Sequence, residues 1–177
     1  MNQQAFHQFW DHFRQKYGVY LRTLEAIPAD RYYTNPVPGM RSPAELSVHI
    51  SGSIVRDITE GVAKGRITAD ESSEDKIAAD LGTKPALIAY ARGCFDRASA
   101  AATRIGDTEL AAQVPTPWKA VWPGVVAFRV MNDEFVHHRG QLTAFIRLCG
   151  GVPPFLWGFA DNAPEYRPRG VPEAAGT

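Results

Sequence analysis

GVVAFRVMNDEFVHHRGQLTAFIRL, residues 124–148, can be laid on a helix without a break. Each residue advances about 100° around an α-helical axis, so every side chain takes a definite direction. Ala127, Met131, Phe135, Leu142 and Phe145 then fall on one side and define a buried face. His138 lands near the centre of that arc, Glu134 toward its margin and Gln141 at its edge. Asp133, His137, Arg139, Thr143 and Arg147 fall outside it or on the flank. Gly150-Gly151 and Pro153-Pro154 are suitable stop signals. The stretch reads as one long helix that aims a carboxylate and an imidazole at its packing partners.

The same period recurs upstream. Phe6, Phe9, Trp10, Phe13, Tyr17, Tyr20, Leu21 and Leu24 predict a first helix that Pro28 ends. A long loop follows, with Pro36, Pro38 and Gly39. Ser42-Pro43-Ala44-Glu45 has the form of a capping box and opens a second helix to about Ala63, before Gly65. Ser72 or Ser73 caps a short helix that stops at Gly82. Thr83 and Pro85 start a third long helix that reaches Ile105. The segment from Asp107 to Gly124, with three prolines, Trp118 and Trp122, reads as irregular. No repeat or strand-like alternation shows. Four long helices and one short one predict an all-α bundle over residues 1–160. Residues 161–177 are expected to form a tail, partly extended or disordered.

A length of 177 residues fits one domain. Hydrophobic and charged fractions of 45% and 21% are those of a folded globular chain. Nineteen basic and nineteen acidic residues cancel, which argues against nucleic-acid binding. Cys94 and Cys149 are far apart and in no CxxC spacing, excluding a disulfide-dense scaffold and a cysteine-rich zinc site; both read as small core residues. No apolar run approaches a membrane span and no signal peptide is evident, so a cytoplasmic location is expected.

The histidines are His7, His12, His49, His137 and His138. Asp133/His137 and Glu134/His138 are both i, i+4 acid–histidine pairs, and the second is aimed at the core. Buried together, Glu134 and His138 are either metal ligands or a hydrogen-bonded pair; geometry leaves both open. His49 lies off the centre of the Leu46, Ile50, Ile54 and Ile58 face, in a polar stripe with Glu45, Gly52, Ser53 and Arg56. That stripe either faces solvent or lines a wet pocket. By itself His49 reads as a surface residue. His7 and His12 share no face, and Ser51 and Ser53 make no credible triad with His49. No GxSxG, HExxH, P-loop or GxGxxG motif is present. The Trp118/Trp122 pair reads as packing.

With these residues placed, the chain resembles the DinB/YfiT-like family of four-helix-bundle metalloenzymes. The match rests on Pro38-Gly39-Met40-Arg41-Ser42-Pro43-Ala44-Glu45-Leu46 running into His49, and on His137-His138-Arg139-Gly140-Gln141-Leu142. The helix ending Ile146–Pro154 fits too, with Cys149 where an aliphatic residue is commoner. The resemblance covers roughly residues 1–160 and implies an up-down-down-up bundle. It also implies a divalent metal on His49, Glu134 and His138, with Glu134 where many relatives have histidine. Zinc or nickel comes first for such a set, then iron or manganese. Gln141 is placed to orient a ligand, and Arg56 to attract an anionic substrate. Relatives include thiol S-transferases that use low-molecular-weight thiols such as bacillithiol or mycothiol, and a mycothiol-dependent maleylpyruvate isomerase. The resemblance therefore implies a thiol-dependent S-transferase acting on small electrophiles. A metal-dependent hydrolase on the same site and a non-catalytic ligand- or partner-binding bundle are the alternatives. A homodimer formed by bundle packing is also implied. The family name refers to damage-inducible expression and does not imply DNA binding.

Overall fold

Three helix starts carry side-chain caps, those of Ser42 and Thr83 as expected from the sequence. Asn2 accepts from the Ala5 N–H and opens α1, Gln3–Ala26. Ser42 accepts from the Glu45 N–H while Glu45 accepts from the Ser42 N–H, opening α2, Pro43–Val48. Thr83 accepts from the Ala86 N–H and opens the helix Lys84–Ala102. The computed structural model describes residues 1–36, 38–157, 162 and 164–167.

The second long helix is not uniform. After α2 the chain runs without a break through a π-helical segment, His49–Asp57, into α3, Ile58–Lys64, which closes on Gly65 with φ of +79°. A short α4, Glu74–Leu81, then leads to α5, Lys84–Ala102. Where an irregular segment was expected, the structure has α6, Asp107–Ala111, and an antiparallel pair, β1 Gln113–Pro115 and β2 Val121–Pro123. Strands of three residues are too short for alternation to show in sequence. The last helix, α7, spans Gly124–Leu148 as expected.

Contacts between side chains give the direction of each helix. Phe6 meets Phe128 and Phe13 meets Phe135, with ring centroids 4.7 and 4.8 Å apart, so α1 and α7 are parallel. Lys84 donates to the Ile27 carbonyl while Trp10 stacks on Phe95, so α5 runs against α1. Thr59 meets Met131 and His49 meets His138, so the second helix runs against α7. The bundle is all-α, up-down-down-up, with long connections at 27–42 and 103–123. The second helix and α1 face each other across it. Ser51 Oγ lies 3.1 Å from Tyr17 Oη and 3.0 Å from Tyr20 Oη, pinning the π-helical segment to α1.

Arg139 and Thr143, read as outside or on the flank, are buried, at 5% and 7% exposure. The arc of α7 that meets neighbours is wider than its apolar stripe, because both α1 and the second helix pack on it. The Arg139 guanidinium lies over the Phe135 ring. Of the expected tail, Asn162 and Tyr166 are buried, and Tyr166 packs against Tyr17 and Phe95. Gly18 makes room for it: a Cβ there would stand 2.3 Å from Tyr166 Cβ. The rest of the tail's expected fraying lies outside the described residues. Among the described residues, no helix is long and apolar enough to cross a membrane.

Candidate metal centre

His49 is the first residue of the π-helical segment and is buried, 5% exposed, against the surface reading. Its Nδ1 lies 2.8 and 3.1 Å from the two carboxylate oxygens of Glu74, the first residue of α4. Glu74 is itself 3% exposed. It also accepts from Ser53 Oγ and stands 3.3 Å from Arg41 Nη2. A carboxylate this deep is tolerable because every side of it is met by a donor. With Nδ1–H donating to Glu74, the lone pair of the neutral ring is on Nε2.

His138 is held in the same way from α7. Its Nδ1 donates to Gln141 Oε1 at 2.9 Å, and the Gln141 amide nitrogen lies 3.2 Å from His137 Nε2. That arrangement leaves the His138 Nε2 lone pair 3.2 Å from Glu134 Oε2. Two acceptors at such a distance repel unless a proton or a cation sits between them. Burial pushes the His138 pKa below the usual histidine value, against the Gln141 hydrogen bond, and the neighbouring His49 ring lowers it further. The neutral ring, the form that binds a metal, is thereby favoured. The His49 and His138 rings are nearly perpendicular, 87°, with centroids 4.9 Å apart.

His49 and Glu134 line a cavity of about 400 Å³. Ile54, Ile58 and Val130 make its aliphatic wall, and Trp118 and Trp122 another. The two indoles stack at 5.5 Å, and Trp118 Nε1 donates to Glu71 Oε1 at 2.9 Å. Glu71 and Arg41 complete the polar lining. A small organic molecule fits a space of this size and mixed character.

His49, Glu134 and His138 are thus brought together, and Gln141 holds His138. Arg56 is not part of this cavity. It pairs with Asp57 at 2.6 and 3.0 Å, reaches Tyr90 and Cys94 on α5, and lines a second cavity. The adjacent Asp57 takes up its charge, so the anion-attracting role expected for Arg56 has no support at the candidate centre. Asp133 and His137 are exposed, as their place on the wheel requires. Glu74, Arg41, Glu71 and the tryptophan wall were not singled out from sequence as parts of a site, because no spacing rule links a loop, a short helix and a hairpin to residue 49.

Two imidazole nitrogens and a carboxylate are a sound donor set for a divalent metal. The locked Nδ1 atoms fit that use, since both rings offer Nε2. Among the described residues, no three His, Cys, Asp or Glu side chains already stand gathered for a metal. The Glu134 side chain is 45% exposed and has room to turn.

The model of the DinB family matches residues 1–168. No curated protein matches the chain. Among solved structures, it is similar to a DinB-like protein, YjoA, from Bacillus subtilis, at 21% identity and a TM-score of 0.67. That match covers 84% of this chain and 96% of the other. At this identity the likeness is one of fold, and it agrees with the bundle described above. The helix order, the family match over residues 1–168 and the shared fold lead to one conclusion: the chain belongs to the DinB family.

Proposed function

We propose that the chain is a metal-dependent enzyme whose His49, Glu134 and His138 hold a divalent ion, zinc or nickel before iron or manganese. The favoured reaction is transfer of a low-molecular-weight thiol to a small electrophile. The observation that carries the metal reading is the pair of imidazoles, each engaged at Nδ1 by a carbonyl or carboxylate oxygen, with both Nε2 lone pairs left for an ion. A divalent ion held there is a Lewis acid that brings the pKa of a coordinated thiol or water toward neutrality. The protein's own part is to place the reactants. Gln141 keeps the His138 ring from turning, while Trp118, Trp122, Ile54, Ile58 and Val130 give the electrophile an apolar wall.

A second reading is favoured by the Glu134–His138 contact itself. There the two side chains form an ordinary ion pair, with a proton between them, in a bundle that binds a ligand without metal. Protein purified without an affinity tag separates the two. The metal reading expects about one equivalent of metal per chain. It also expects a melting temperature that falls on chelation, and loss of both properties in His138→Ala. A metal-free wild type that gains no stability from added zinc or nickel refutes it. With metal shown, conjugation of thiols to model electrophiles tests the transferase step, and turnover of esters or amides without thiol would point to hydrolysis instead.

A further inference from the structure

We propose that Glu74 is a positioning residue of the metal centre: it fixes the tautomer and orientation of His49, so that Nε2 is the nitrogen offered to an ion. The proposal rests on the reading of His49 as a ligand. Its basis is the way the carboxylate is clamped. Both oxygens lie within 3.1 Å of His49 Nδ1. Ser53 Oγ donates to Oε1, and Arg41 Nη2 stands 3.3 Å from Oε2, so each oxygen has its own second partner. A carboxylate held at both oxygens resists rotation and passes that rigidity to the imidazole it accepts from.

The element that carries Glu74 serves the same end. α4 has eight residues, Glu74–Leu81, and begins at the carboxylate. Ala78, 2% exposed, together with Ile77 and Leu81, seats the helix on the core. Trp118 ties Glu71, three residues earlier, to the cavity wall. The connection between the second and third long helices therefore delivers an oriented acceptor to a ring on another element. A simple buried ion pair between Glu74 and Arg41 would not require the His49 contacts, which are the shorter ones.

Nuclear magnetic resonance of ¹⁵N-histidine-labelled, metal-free protein tests the tautomer, with His49→Gln assigning the ring. Calorimetric titration with Zn²⁺ tests the affinity. Wild type is expected to show His49 protonated at Nδ1. Glu74→Leu, which leaves Nδ1 no acceptor, is expected to move population toward the Nε2–H form and to weaken Zn²⁺ binding by about 10- to 100-fold. Glu74→Gln, which keeps a carbonyl acceptor as Gln141 does for His138, should recover part of the loss. If Glu74→Leu does not fold, Ser53→Ala and Arg41→Met each remove one clamp and should loosen binding a few-fold. Unchanged tautomer and Zn²⁺ affinity within twofold in Glu74→Leu, or in both clamp variants, overturns the proposal. A wild type that binds no Zn²⁺ defeats the metal reading, while the tautomer measurement still decides what Glu74 does to His49.

Discussion

Replacing Ser51 with alanine should cost this bundle about 1 kcal/mol, the worth of one buried hydrogen bond. Ser51 is fully buried in the π-helical segment, and its hydroxyl lies 3.1 Å from Tyr17 Oη and 3.0 Å from Tyr20 Oη. Tyr17 Oη also lies 2.7 Å from the Ala91 carbonyl and Tyr20 Oη 3.2 Å from the Ser47 carbonyl. Each hydroxyl brings one proton, so three protons serve these four contacts. Without the serine, both tyrosines still donate to their carbonyls. One hydrogen bond is lost and no donor is orphaned. For a chain of this size the loss should lower the melting temperature by about 2–4 °C. Urea unfolding followed by circular dichroism gives the free energy, and a thermal scan gives the midpoint. A cycle with Tyr17→Phe should show coupling of about 1 kcal/mol, because both changes remove the same bond. A loss below about 0.5 kcal/mol, or a strictly additive double variant, would show that the tyrosine clamp does not hold the second helix.

Two further outcomes follow from burial and charge. Cys94 is 3% exposed, and burial pushes its thiol pKa up despite the nearby Arg56 guanidinium. In native protein at neutral pH, an aromatic disulfide reagent should therefore leave Cys94 unmodified and reach it only on unfolding; rapid labelling of Cys94 in the native state contradicts this. Burial also opposes the charge of Glu60, but hydrogen bonds and charges from Arg97 and Lys64 outweigh it and hold the carboxyl below its usual value. A depressed acid stabilises the fold above its unfolded pKa and loses that contribution as pH falls through the folded one. Stability of Glu60→Gln should therefore approach wild type as pH drops below roughly 4; a difference unchanged from neutral to acid pH would refute the pairing.

The helices were legible because their signals are local. Ser42 and Thr83 bond within three residues of themselves, and apolar spacing repeats along each element. Residues 113–115 and 121–123 were not, since their pairing is an interaction between two tripeptides. The candidate centre divides along the same line. Glu134 and His138 share one helix, so a wheel brings them together. His49 looked like a surface residue because the wheel assumed a uniform 3.6-residue turn, whereas the wider π-helical turn begins at that residue and α4 covers the stripe. The resemblance to the family, not periodicity, put His49 with the other two. Glu74 acts through a distant contact, and nothing in its own neighbourhood of Ser72, Ser73 and Asp75 marks it.

The π-helical segment also sets where the chain can change length. Its i→i+5 turns hold more residues than the roughly 3.6 of an α-helix. A residue lost between Ser51 and Asp57, with relaxation to ordinary turns, is offset by the tighter winding, so α3 keeps close to its bearing on Met131. A residue lost from α2 or α3, already wound at about 3.6 per turn, rotates everything beyond it by about 100°. When homologous chains are aligned, single-residue gaps within this helix should fall in the π-helical segment and stay out of the α-helical turns on either side.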